Sequence, residues 1–163
     1  MTDQPVDAAA ALDALFDEAR RRLAGSPRER LGDWAHSRRL LGIGRAPRIV
    51  AVGEAWHVGA LLIGDTAVYA TADVLRARTE AVRGYTADAQ RARSERAAAA
   101  ARGGFADGEV VHLGAMRIDL DAVRRGEASG PLSLVDGIPS IVWNAAGSRR
   151  PLADYLDDQL SLR

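Results

Sequence analysis

Residues 48–78 read RIVAVGEAWHVGALLIGDTAVYATADVLRAR, and between the arginines near its two ends the stretch carries only Glu54, Asp65 and Asp73 as formal charges. Nothing else in the chain is so apolar for so long. Pro47 lacks an amide hydrogen and suits the first position or the edge of a strand. The run Ile49-Val50-Ala51-Val52 is short, apolar and largely β-branched, which predicts a buried strand. Gly53-Glu54 predicts a break after it. Residues 56–63 predict a second strand, with Trp56, Val58, Ala60 and Leu62 on one face and His57, Gly59, Leu61 and Ile63 on the other. Both faces are apolar, as in a central strand covered on both sides. Gly64-Asp65 then predicts a tight hairpin turn into a third run, residues 66–71.

Helical periodicity brackets this strand-rich centre. Residues 5–24 place Ala9, Leu12, Phe16, Ala19 and Leu23 on one stripe, with acids early, three arginines late and Gly25 as a stop. Ser26-Pro27-Arg28-Glu29 has the form of a capping box with proline at the first helical position, so a second short helix is expected up to Ala35. Residues 37–47 read as a linker, and Gly42-Ile43-Gly44 lacks the third glycine and the following helix of a dinucleotide fingerprint. Residues 86–102 predict an alanine-rich helix capped by Thr86. Residues 109–120 predict strands around Gly114, and 121–126 a helical turn. Residues 131–143 predict a hairpin turning on Asp136-Gly137, with Pro139 placing its second strand at an edge. Residues 151–161 predict a last amphipathic helix with Leu152, Tyr155, Leu156 and Leu160 inward. The expected fold is α+β in one domain over 1–163. It has N-terminal helices within 1–36, sheet within 47–78 and 109–144, and helices at 86–102 and 151–161. The sheet is mainly antiparallel, of five to seven strands built from hairpins.

Composition excludes whole chemistries. The chain has no cysteine, so disulfides, thiolate ligands and cysteine nucleophiles are absent. All 22 basic residues are arginine. Schiff-base catalysis, Ser-Lys catalysis and a phosphate-loop lysine therefore have no residue to perform them. The N-terminal stretch is acidic and lacks a signal-peptide core, and no apolar run reaches transmembrane length. A cytoplasmic protein with no membrane partner is expected.

The three histidines are His36, His57 and His112. His57, His112 and Glu54 are the candidates for general acid–base work. They would make a metal site only if their strands were neighbours, and no H-E-x-x-H spacing supports that, so no metal and no cofactor are expected. No G-x-S-x-G elbow accompanies them. Asp119 and Asp121, with Asp107 and Glu109, read as exposed carboxylates at strand ends. Trp56, His57 and Gly59 are candidates for ligand binding, because a glycine beside His57 on its face would leave room for a pocket. Arg38, Arg39, Arg45 and Arg48 are candidates for phosphate or partner contact, lying in a segment from Arg20 to Arg48 with nine arginines and two acids. A net charge of zero argues against nucleic acid and for pairing with the protein's own acids.

The stretches LLGIGRAPRIVAVGEAWHVGALL (40–62), RGGFADGEVVHLG (102–114) and ASGPLSLVDGIP (128–139) resemble a group of small uncharacterised proteins of high-GC Gram-positive bacteria. Some of these carry the label glutaminase, and the resemblance would imply amide hydrolysis. The residues that chemistry needs, a Ser-x-x-Lys pair or a cysteine, are missing here. Thr2, exposed by removal of Met1, would be the remaining nucleophile. The residues themselves favour a non-catalytic domain that binds a small ligand or a partner protein, or a second copy of itself, through the sheet. The face of the 131–143 hairpin bearing Ile141 and Trp143 is the expected contact. The alternatives are a hydrolase using a histidine and a carboxylate, and arginine-mediated phosphate or nucleic-acid binding.

Overall fold

The computed structural model describes residues 4–36, 46–79 and 87–163. In chain order the elements are α1 (Gln4–Leu23), β1 (Glu29–Trp34), β2 (Ile49–Val58), β3 (Leu61–Ile63), β4 (Val68–Ala70), β5 (Asp73–Arg76), α2 (Asp88–Arg102), β6 (Val110–Leu113), β7 (Met116–Arg117), α3 (Leu120–Arg124), β8 (Leu132–Val135), β9 (Ile138–Val142), β10 (Arg149–Pro151) and α4 (Leu152–Ser161). The fold is α+β. A seven-stranded sheet runs β5-β6-β1-β2-β3-β4-β7 and a three-stranded sheet runs β10-β9-β8. β1 pairs with β6 in parallel, and β2–β3, β3–β4, β4–β7, β5–β6, β8–β9 and β9–β10 pair antiparallel. No helix among the described residues is long and apolar enough to cross a membrane.

The chain divides into two compact units. The first takes residues 1–28, 55–71 and 116–163, and the second takes 29–54 and 72–115. β2 belongs to both, changing unit between Glu54 and Ala55. In the first unit α1 supplies Leu12, Phe16, Ala19 and Leu23 to a core completed by Trp56, Val58, Leu61, Ile63, Val68, Ile141, Leu152, Tyr155 and Leu156. In the second unit α2 lays Ala99 and Ala100 against Ile49, Leu75, Phe105, Val111 and Leu113. Alanines let a helix approach a sheet closely, and here Gly103 at the end of α2 comes so near β2 that a Cβ on it would lie 1.5 Å from the Ile49 carbonyl oxygen.

Three local expectations are corrected. Residues 29–34 form β1, not a helix, because Leu31 and Gly32 pair with His112 and Leu113 of β6, a long-range ladder that outweighs a local capping pattern. The Gly53-Glu54 break is absent, since β2 runs through it. Residues 56–63 are not one strand. They turn at Gly59-Ala60, where Gly59 has φ 59° and Ala60 stays at negative φ, the pattern of a type II′ hairpin. A two-residue turn reverses side-chain parity, so Trp56 and Val58 share their face with Ile63 and Leu61, whereas His57 shares its face with Leu62. Gly64-Asp65 instead opens a wider β3–β4 connection closed by the Ala67 carbonyl accepting from the Gly64 amide.

The hairpin at 131–143 forms as β8–β9. Asp136 and Gly137, at φ 51° and 77°, make a type I′ turn. β9 is the middle strand of its sheet and not an edge, but β10 pairs with Ser140–Val142 only, so it requires no donor from Pro139. α2 begins at Asp88 after Ala87, and Thr86, the expected cap, lies outside the described residues.

Candidate functional site

The residues singled out by chemistry are mostly tied into structural contacts. Trp56 is buried in the first unit at 5 % exposure. Its indole N–H donates to the Ser26 carbonyl at 3.1 Å. The Arg28 guanidinium lies 4.0 Å above the ring, and Arg28 in turn donates twice to Asp65, at 2.8 and 2.6 Å. Trp56, Arg28 and Asp65 therefore form a stack built on the indole ring. Hydrogen bonding to Arg28 holds the Asp65 carboxyl below the ordinary aspartate range. A carboxyl depressed in the folded state contributes stability above its unfolded pKa and loses it as pH falls through the lower folded value. The melting-temperature gap between the protein and Asp65→Asn should therefore be widest near neutral pH and close below about pH 4. A gap independent of pH in thermal scans would show that the pair contributes nothing.

His57 is half-buried, and its Nε2–H donates to the Gly59 carbonyl at 2.9 Å. The room expected beside Gly59 is filled. A Cβ there would lie 2.0 Å from the Tyr155 hydroxyl, which accepts from the Ala60 amide at 2.6 Å. Gly59 thus serves the turn and the docking of α4, and the pocket read from it is withdrawn. His57 lies in the first unit, Glu54 and His112 in the second. Glu54 is exposed. His112 is fully buried in β6, and its Nε2 is hydrogen-bonded to the Glu29 carboxylate of β1. A carboxylate-bound imidazole is half of a general-base arrangement, but this ring has 0 % exposure and offers no face to a substrate. The carboxylates at 107–121 serve the backbone and arginines: Asp107 accepts from the Thr79 amide, Glu109 from the Ala106 amide and Asp119 from the Ala122 amide, and Asp121 pairs with Arg124.

Arg38, Arg39 and Arg45 lie outside the described residues, and Arg48 is exposed at the entry to β2. Elsewhere arginines meet the protein's own acids, as Arg22 does Asp157, Arg96 does Asp73 and Arg150 does Asp158. In sequence the first unit has thirteen acids against ten arginines, net −3, and the second nine against twelve, net +3.

A groove that sequence reading missed opens on the first unit. It has a volume of about 560 Å³ and is lined by Ala8, Ala11, Ala14 and Leu15 of α1, by Asp136, Gly137, Ile138 and Pro139 of the β8–β9 turn, and by Ala153 of α4. Ala8, Ala11 and Leu15 recur at helical spacing beside the core stripe, so α1 has a second apolar face. The type I′ turn holds Ile138 out at 54 % exposure. The expected contact on the hairpin is corrected accordingly: Ile141 is fully buried, Trp143 is 46 % exposed and lies past the end of β9, where strand alternation no longer fixes its face. The signal for the groove was present in the alanines at 8, 11 and 14, which also read as plain helix formers. Comparison of the chain with models of known protein families, with curated proteins and with solved structures gave no match.

Proposed function

We propose that the chain is a non-catalytic binding module whose binding element is the groove between α1 and the β8–β9 turn, and that it receives an apolar segment of a partner protein. The observation that carries this reading is the groove's lining. Eight of its nine residues have no side-chain polar group, and Asp136 is the exception. Contiguous apolar surface left open on a folded domain is what interaction sites use. Two further observations favour the reading: the acid–base candidate His112 has 0 % exposure, and the ligand-binding candidates Trp56 and Gly59 are engaged by Arg28 and Tyr155.

Nile red, a neutral dye that brightens in apolar sites, tests the groove directly. Its emission should rise on adding the protein. Ala11→Glu and Ile138→Asp, both at exposed positions, should each remove roughly half of that rise or more. Glutamate is a good helix former, so circular dichroism should be unchanged for the first variant. An emission rise that neither variant reduces would refute the assignment of the groove.

A further inference from the structure

We infer that the occupant of this groove is an amphipathic helix flanked by basic residues, an inference that rests on the reading just given. The first argument is length. From Ala8 to Leu15 the α1 wall runs seven residues, about 10 Å along the helix axis. That is two turns, the span over which a docked helix presents anchors at i, i+3 or i+4, and i+7. The second is the depth of the wall. Ala8, Ala11, Ala14 and Ala153 leave the backbones of α1 and α4 close to the groove, so a helix can lie near them while its larger side chains reach Leu15, Ile138 and Pro139.

The third argument is charge, and it selects the partner. Asp136 lines the groove and is exposed. Asp154 is exposed and follows the lining residue Ala153. Neither has an ion-pair partner among the described residues, whereas Asp13, Asp17, Asp65, Asp121, Asp157 and Asp158 are each paired with an arginine. Of the first unit's acids that meet no arginine among the described residues, Asp119 caps α3, whereas Asp136 lines the apolar groove and Asp154 directly follows its lining residue Ala153, in a unit of net charge −3. Such a lip favours lysine or arginine at the ends of the partner's apolar stripe and disfavours glutamate there.

The test uses three synthetic fourteen-residue helical peptides with leucine at i, i+4 and i+7 and arginine, glutamine or glutamate flanks. Binding to the full chain is read by fluorescence anisotropy at low ionic strength, where surface charge is least screened. The arginine-flanked peptide should bind roughly tenfold tighter than the glutamate-flanked one. Asp136→Asn should shrink that ratio by roughly half or more, because it removes the charge that distinguishes the two flanks. Ala11→Glu should abolish binding of all three. Equal binding of all three peptides, insensitive to Asp136→Asn, would overturn the charge inference and leave the groove standing. No peptide binding despite a Nile red signal that Ala11→Glu removes would assign the groove to a small apolar molecule and overturn the inference. So would a concentration-dependent dimer in light scattering that Ala11→Glu dissociates. No peptide binding and no effect of either groove variant on Nile red would overturn the underlying reading as well.

Discussion

Trp56→Ala is expected to lower the unfolding free energy by about 3–5 kcal/mol, the range for large buried aromatics. Three losses coincide. The ring fills the first unit's core beside Val58, Leu61 and Ile63. Its N–H satisfies the Ser26 carbonyl, which would lose a partner. The ring is also the surface on which the Arg28 guanidinium rests while Arg28 holds Asp65, so the stack would lose its base. His57→Ala, one residue on, should cost clearly less, about 1 kcal/mol, because the imidazole is half-buried and its described hydrogen bond is to a turn carbonyl. Urea denaturation of both variants makes the comparison. Equal, large losses would make His57 as much a part of the core as Trp56.

Gly103→Ala is the second large effect, about 3 kcal/mol, at the upper end for overpacking. The cause is space and not backbone conformation, for Gly103 has φ −83°, open to any residue. Its added methyl would fall 1.5 Å from the Ile49 oxygen and 2.5 Å from the Ile49 carbonyl carbon. Those are backbone atoms of β2 and cannot rotate aside as a flexible side chain would. Either α2 lifts, taking Ala99 and Ala100 off the second core, or β2 shifts at Ile49, which is fully buried. A loss under about 1 kcal/mol in the same denaturation experiment would show that the helix end can move freely away from the strand.

Where structure follows from nearby residues, the sequence was readable. α1 announced itself through Leu12, Phe16, Ala19 and Leu23, and Asp136-Gly137 fixed the β8–β9 hairpin, because helix periodicity and type I′ turns are local properties. Where structure depends on distant partners, reading failed. Ser26-Pro27-Arg28-Glu29 is a sound helix start by local rules, yet the strand beginning at Glu29 is set by β6, eighty residues away in the chain. Gly59-Ala60 was missed as a turn because alanine is not a turn signal, and that omission placed Leu61 and Ile63 on the wrong face. The candidate site was less legible still. Histidines and arginines attract attention by their chemistry, whereas the groove is built from alanines, an isoleucine and a proline whose significance lies only in what is left uncovered beside them.

The division of the first unit into three pieces of chain bears on how the protein is made. Of the described elements α1 leaves the ribosome first, but much of what covers Leu12, Phe16 and Leu23 comes from residues 118–156. At about 5–20 residues per second, the helix waits on the order of 10 s with its apolar stripe bare. The second unit's residues, 29–54 and 72–115, are all synthesised within that interval and can fold first. Early in its life the nascent chain therefore presents an unburied amphipathic helix. A message truncated before β9 would yield a product that keeps this helix exposed, a substrate for chaperones and proteases instead of a smaller working domain.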